Sequence, residues 1–383
     1  MSKVKGVKVI DVKSTAIYDF HLEKIKSIVQ KYKFEKIMLP ILASESTFIR
    51  TIGESEIVQK EMFKIQGRNK IVLRPEGTAL LAEHLLNTSA LRHKNPKRYR
   101  YHGPMFRYEQ PQKGRYRQFY QLGMESFNIS PLIQEQEVFS AAWEIINLMG
   151  LSESVELEIN NLGESHERRR YKKDLVEFLK SCSLNAEQLK NLERNPLRCL
   201  DTKDDNFLKQ LENAPKITEY VDQKKFSILL EYLRDIGLPF KVNPLLVRGL
   251  DYYSGTVFEW KVQSKDLGSQ STLCAGGRYD TIFENMGSAE STTAFGLAFG
   301  MERMMKVSQL KTPQFPKSIY LFAKEEEDLT DALKVLGKSS LSIFFEDRIL
   351  SFNSHIKKAR SYSEVLYLSK GKVWDMDGRE RDL

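Results

Sequence analysis

The sequence predicts an α+β fold in which a mostly antiparallel sheet flanked by helices is interrupted by a helical insertion and followed by a small α/β domain. Three observations carry this. Between Ile71 and Phe127, short aromatic and β-branched runs are broken by Gly, Pro and Gln-Lys-Gly turns. From Glu167 to Gly237 the chain becomes rich in Leu, Lys and Glu with helical spacing at Leu175, Phe178, Leu179 and at Phe226, Leu229, Leu230, Leu233. Beyond Pro313-Gln314-Phe315-Pro316, segments of strand and helix character alternate.

In chain order, Ser14 or Thr15 can cap a helix whose apolar residues recur at Ile17, Leu22, Ile25, Ile28, Val29 and Tyr32. The run from Phe34 to Leu42 contains Pro40, which a central strand tolerates poorly, so it reads as an edge strand or interface segment. Strands are expected at Ile71 to Leu73, Tyr99 to Tyr101, Met105 to Tyr108 and Arg117 to Gln121. After the helical stretch, sheet character returns at Leu245 to Leu250, Thr256 to Val262 and Ser271 to Ala275, followed by a helix from Ser291 or Thr292 to Met305. The closing α/β segments are Ile319 to Phe322, Asp328 to Leu336, Leu341 to Phe345, His355 to Arg360 and Val365 to Leu368. These readings divide the chain into 1–166 and 241–312 as two parts of one domain, 167–240 as the insertion and 316–383 as the terminal domain.

A length of 383 residues allows two or three domains, and 41% hydrophobic content with only 12 Pro excludes collagen-like and largely disordered chains. No window approaches 18 uninterrupted apolar residues, and the Lys-rich start has no apolar stretch behind it, which argues against a membrane span and a secretory signal. Three cysteines without a CxxC pair suit a reducing, cytoplasmic setting. The net charge of +8 favours a polyanionic partner: nucleic acid, nucleotide or an acidic surface.

The densest basic stretch carries Arg92, Lys94, Lys97, Arg98, Arg100, Arg107, Lys113, Arg115 and Arg117 against a single acid, Glu109, with Tyr99, Tyr101, Phe106, Tyr108, Tyr116, Phe119 and Tyr120 between them. Guanidinium forks match phosphate and carboxylate, and rings can stack on bases or on guanidinium groups. A solvated basic hairpin with core aromatics fits the same composition. A second constellation runs from Leu246 through Arg248, Asp251, Tyr252, Tyr253 and Glu259 to Ala275-Gly276-Gly277-Arg278-Tyr279-Asp280. An arginine in an apolar strand needs an anionic partner, which Asp251 could supply. In Gly296 to Arg303, glycines four apart suit a helix packed closely on a sheet. The six histidines show no metal-ligand spacing, so no metal site is expected, and the starting residues of P-loop, dinucleotide-binding and serine-hydrolase motifs are missing.

Taken together, Phe106 to Glu125 resembles the second motif of class II aminoacyl-tRNA synthetases, and Gly296 to Arg303 the third. The segment around Pro40 resembles a degraded first motif. Leu246 to Glu259 and Ala275 to Asp280 resemble the two signatures peculiar to histidyl-tRNA synthetases, and Arg74 to Thr78 and Arg194 to Asp201 fit the same family. The resemblance covers nearly the whole chain. It implies a class II catalytic sheet, activation of histidine by ATP with magnesium, transfer to tRNA(His), a homodimer and no membrane association.

By this resemblance, Arg107 bridges the α-phosphate and the substrate carboxylate, Arg248 supports the α-phosphate from the other side, and Arg115 and Arg303 hold the β- and γ-phosphates. Glu109 faces the adenine amino group and Phe119 stacks on the ring. For histidine, Glu125 and Tyr253 read the imidazole, Tyr279, Gly276 and Gly277 close the pocket, Tyr252 belongs to the same histidine site, and Glu76, Thr78 and Gln121 anchor the α-amino end. Gln110 and Gln112 lie in the loop that meets the tRNA acceptor end, the inserted helices are placed over the acceptor arm and the terminal domain over the anticodon. Gln110 and Glu83 stand where arginine is usual, Ala43 where an acid is, and the terminal domain is short, without a closing helix. Two other readings stay open: a non-catalytic relative acting as regulatory subunit of ATP phosphoribosyltransferase, and a nucleic-acid-binding module built on residues 92–117.

Overall fold

A computed structural model describes residues 4–381 except 54, 56, 68–69, 92–94, 203, 251, 269–270, 290–291, 312–317, 339–342 and 361. Arg92, Lys94, Asp251, Ser291 and the segment 313–316 therefore lie outside the described residues. The chain divides into two compact units, 1–310 and 311–383.

Helix α1 (Val12–Lys31) starts earlier than expected, because Asp11 is its cap: its carboxylate accepts the Ser14 amide at 2.8 Å. Residues Tyr18, Leu22, Ile25 and Val29 form its buried stripe. Strand β1 (Glu35–Lys36) pairs in parallel at one edge of the main sheet, and Pro40 follows it outside any strand. Strand β2 (Leu42–Ser44) forms a separate two-stranded ribbon with β3 (Ile71–Leu73), between which lies α2 (Glu45–Ile52); α3 (Thr78–Asn87) follows.

The next two strands are longer than the sequence suggested: β4 (Lys97–Phe106) runs unbroken through Gly103-Pro104 and pairs with β5 (Gln118–Phe127) over its whole length. Helix α4 (Pro131–Leu148) precedes β6 (Val155–Asn161). Helices α5 (Ser165–Lys180), α6 (Ala186–Arg194) and α7 (Asp205–Leu211), with a 3₁₀ turn at Pro196–Leu200, share an apolar cluster around Tyr171, Leu175, Leu197, Phe207 and Leu211. Helix α8 (Lys224–Asp235) belongs to a different cluster, packing Phe226, Leu229 and Leu233 with α1 and α4 on the main sheet.

Strands β7 (Phe240–Val242), β8 (Thr256–Val262) and β9 (Thr272–Arg278), short helix α9 (Ile282–Asn285), strand β10 (Ala294–Gly300) and helix α10 (Met301–Val307) complete the first unit. The eight-stranded sheet has the order β1-β4-β5-β10-β9-β8-β6-β7, antiparallel except at its two edge pairs. Two expectations fail here. Residues 245–250 form no strand: the Asn160 side-chain amide donates to the carbonyls of Pro244 and Leu246 at 3.2 and 2.9 Å, taking backbone acceptors that a ladder would use. Residues 294–300 form a strand, and helix begins only at Met301, because four-residue spacing of glycine keeps one face in a strand of period two as well as in a helix.

The second unit has β11 (Ile319–Ala323), α11 (Leu329–Lys338), β12 (Ile343–Glu346), α12 (Phe352–Ala359), β13 (Glu364–Ser369) and β14 (Lys372–Asp375). Its order β12-β11-β13-β14 is parallel except for the last hairpin, and β14 is the final regular element among the described residues. Among the described residues no helix is long and apolar enough to cross a membrane.

Candidate active site

Alternation along three neighbouring strands builds the site. On β5, Leu122 and Met124 point into the core beneath α4, so Phe119, Gln121 and Glu125 face the opposite side. On β10, Phe295 and Phe299 fill the core while Gly296, Ala298 and Gly300 floor a cavity. Register places Gly296 directly opposite Glu125. A Cβ on Gly296 would overlap the Glu125 carboxylate, and one on Gly123 would overlap the Tyr101 ring, so these two glycines make the space that both side chains occupy.

The enclosed end is organised around Glu125, which is 1% exposed. Thr78 Oγ1 donates to its carboxylate at 2.7 Å, Tyr101 OH donates at 3.1 Å, and Tyr279 OH donates as well. Burial pushes Glu125 up to about 8 despite those donors. Nearby, Glu76 accepts the Thr78 and Ala79 amides at 2.6 and 2.9 Å at the start of α3, and burial raises it too. Tyr252, Tyr253 and Gln121 complete this end. Tyr279, Gly276 and Gly277 do not line the cavity: Tyr279 stands behind Glu125 and acts through it, and Gly276 packs against Gly296 and Leu297.

The open end gathers four guanidinium groups. Arg107 donates through Nε to the Pro75 carbonyl at 2.9 Å and lies 5.3 Å from the Phe119 ring centroid. Arg303 donates to the carbonyls of Gly114 and Thr272, both at 2.8 Å; burial lowers it to about 10, helped by Arg115 and Arg107. Arg248 pairs with Glu259, which also accepts from Thr272 Oγ1 at 3.1 Å. Glu259, on β8, is therefore an anionic partner of Arg248 among the described residues, and Asp251, which the sequence also offered, lies outside them. Arg115 is held by Glu109. The Glu109 carboxylate pairs with Arg115 through one oxygen, while the other lies 3.9 Å from Arg107 Nη1.

Tyr101, Glu259, Thr272, Cys274 and Glu302 also belong to this site, and the sequence reading gave none of them a role in it. Glu302 accepts the Tyr120 amide through both oxygens, at 2.8 and 3.0 Å, fastening α10 to the start of β5; burial raises it to about 7. Tyr101 stood at a period-two position in the same strand as Tyr99, and Glu259 and Glu302 lay inside the segments already singled out. Gln110 and Gln112 are exposed in the loop between β4 and β5 and do not line the cavity. Among the described residues no group of three His, Cys, Asp or Glu side chains is placed to hold a metal ion.

A polar enclosed end with a buried carboxylate and an open end of four fixed cations suits a small zwitterion next to a polyphosphate. A family model described as histidyl-tRNA synthetase matches residues 13–304. The histidine--tRNA ligase of Francisella philomiragia is 38% identical over 372 residues, spanning 93% of this chain and 87% of its own. That of Francisella tularensis subsp. novicida is 43% identical over 358 residues, spanning 89% and 84%. Apo histidyl-tRNA synthetase of S. aureus superposes with a TM-score of 0.79 at 23% identity, covering 100% of this chain and 97% of that one. A Bacillus halodurans protein described as an ATP phosphoribosyltransferase regulatory subunit/histidyl-tRNA synthetase gives 0.68 at 20% identity, covering 96% and 97%. At these identities the solved structures speak to the fold alone.

Proposed function

Because the chain belongs to the histidyl-tRNA synthetase family, we propose that this cavity joins histidine to ATP and that the histidyl group then passes to the 3′ end of tRNA(His). In the first step a histidine carboxylate oxygen attacks the α-phosphorus, and pyrophosphate leaves with the electrons of the broken P–O bond. In the second, a terminal ribose hydroxyl of tRNA attacks the adenylate carbonyl, loses its proton, and AMP leaves. Magnesium comes with ATP as part of the substrate.

The observation that carries this reading is the convergence of Arg107, Arg115, Arg248 and Arg303 on a cavity whose other end is the Glu125 cluster. Negative charge crowds at the α-phosphorus as the new bond forms, and cations held in advance by carbonyls and carboxylates stabilise it with little reorganisation. Arg107 reaches both carboxylate and α-phosphate, Arg248 meets the α-phosphate from the opposite wall, and Arg115 and Arg303 take the β- and γ-phosphates. Phe119 offers a ring face to adenine, and Glu109 an acceptor for its amino group. Glu76, Thr78 and Gln121 hold the ammonium group.

Glu125, with Tyr252 and Tyr253, reads the imidazole. A neutral imidazole presents one donor and one acceptor, and Glu125 near its own midpoint can accept from the ring as carboxylate or donate to it as acid. A substrate without those groups leaves Glu125 buried and unanswered, which disfavours it strongly.

A subunit that only senses histidine needs the Glu125 end but not Arg115 and Arg303. The chain works as a cytoplasmic homodimer through the segment around Pro40, where Met38, Ile41 and Leu42 are 83%, 43% and 53% exposed. The test is charging: the purified chain with labelled histidine, ATP, magnesium and tRNA(His) should yield acid-precipitable label. A folded protein that binds histidine and charges no tRNA would instead support the regulatory reading.

A further inference from the structure

Residues 4–10, which precede α1, do not line the cavity, yet they are fastened to the loop that supplies it with three groups. That loop, residues 107–117 between β4 and β5, brings Arg107, Glu109 and Arg115 to the site. Arg117 knots its two arms together. The Arg117 carbonyl accepts the Arg107 amide at 2.9 Å, its Nε donates to the Glu109 carbonyl at 3.1 Å, and its Cζ lies 3.7 Å from the Tyr108 ring centroid. The Arg117 amide is engaged from outside the loop: it donates to the Gly6 carbonyl at 2.8 Å.

Position 6 suits glycine alone. Its φ is +83°, in the left-handed region, and a Cβ there would lie 2.9 Å from both Pro111 Cγ and Arg117 Cγ, which stand on the outgoing and returning arms of the loop. Two residues on, Lys8 Nζ donates to the Tyr116 hydroxyl at 3.1 Å and sits 4.5 Å from its ring centroid, beside Arg115 in the chain. On the cavity side the loop is held by groups proposed for ATP itself: Arg115 pairs with Glu109, and Arg303 Nε donates to the Gly114 carbonyl at 2.8 Å. Gly6 and Lys8 hold it from outside the cavity, with groups that ATP does not recruit. Contacts of that kind persist in the free and the bound state, so they order the loop before the ligand arrives and reduce what binding must overcome.

We propose that Gly6 and Lys8 are positioning residues for ATP: they fix the loop so that Arg115 and Glu109 stand in place when the nucleotide enters. The proposal rests on the ligase reading above and specifies what sets nucleotide affinity apart from histidine affinity. The histidine end is built on α3, β5 and β10, with Thr78 and Tyr101 donating to Glu125, and does not depend on this segment.

Gly6→Ala and Lys8→Met test it, with Lys8→Arg as the conservative variant. Histidine-dependent pyrophosphate exchange is measured with ATP and histidine varied separately. Forcing a side chain into the left-handed region should raise KM for ATP by about five- to thirtyfold, and losing the exposed cation–ring contact should raise it by about two- to fivefold. KM for histidine should stay at the parental value in both, and Lys8→Arg should restore KM for ATP. Added to Tyr116→Leu, Lys8→Met should have no further effect, because the two residues act through one contact. A parental KM for ATP in both variants would overturn the proposal. Equal rises in the two KM values would overturn it as well, since they would assign the segment to general stability; Lys8 is exposed, so its variant keeps the test open where Gly6→Ala does not fold. A parent protein without exchange would strike the ligase reading instead, and calorimetric titration with ATP, tighter for the parent than for Gly6→Ala, would then decide this proposal separately.

Discussion

At one end of the cavity Glu125 is enclosed by three hydroxyl donors, and at the other four arginines are each held by carbonyls or carboxylates while still reaching open space. Burial acts on both ends with different results. It carries the Glu125 carboxyl from 4.5 to about 8, into the range where its charge is negotiable. It lowers Arg303 only to about 10, which leaves the guanidinium charged at neutral pH. The enclosed end therefore reads a pattern of donors and acceptors, and the open end supplies fixed charge. Errors at the first should surface in substrate affinity and errors at the second in the chemical step.

The largest break in this contrast is Arg248→Ala. Losing one preorganised donor at the reacting phosphate should lower kcat for pyrophosphate exchange by about 10²–10³-fold, or about 2.7–4 kcal/mol, with circular dichroism retained and KM for histidine rising much less. Near-parental kcat would remove Arg248 from the mechanism. Glu125→Gln comes next: KM for histidine should rise about 10–100-fold, the cost of about 1.5–3 kcal/mol for a charge-assisted hydrogen bond, with kcat less affected. A fall confined to kcat would show that the two ends are not separable in this way.

Gly296→Ala probes the same end by shape alone. Its Cβ must displace the Glu125 carboxylate, so stability should drop by about 1–3 kcal/mol and histidine affinity should fall with it. Unchanged calorimetric binding would contradict the geometry.

The smallest effect concerns pH. The folded pKa of Glu125, about 8, exceeds its unfolded value of 4.5, so between those limits the folded state binds more protons than the unfolded one. Its contribution to stability is greatest below pH 4.5 and is lost as pH rises to about 8; Glu302, at about 7, contributes with the same sign over a narrower window. The melting temperature of the ligand-free parent should fall by a few degrees relative to Glu125→Gln between pH 5 and 8. Parallel profiles would place the Glu125 titration elsewhere.

Legibility followed sequence distance. Residues 106–125 were readable because β4, its loop and β5 are contiguous, and period-two alternation sends Phe119, Gln121 and Glu125 to one side. Arg248 was flagged as an arginine in need of an anion, and its pairing with Glu259 was not foreseen, since it is set by the fold of β8 against a loop. The pairing of Glu302 with the Tyr120 amide, 182 residues apart, had no signal in either segment. The β10 strand was misread because its glycines fit both periods, and 245–250 because the competing partner, Asn160, lies 84 residues away from Pro244.

The most direct test of the account is histidine-dependent exchange of labelled pyrophosphate into ATP by the unmodified chain, with magnesium, without tRNA, and with each amino acid supplied in turn. Strong exchange with histidine alone is the predicted result. A folded, histidine-binding protein that exchanges nothing would contradict the claim that the four arginines serve adenylate formation.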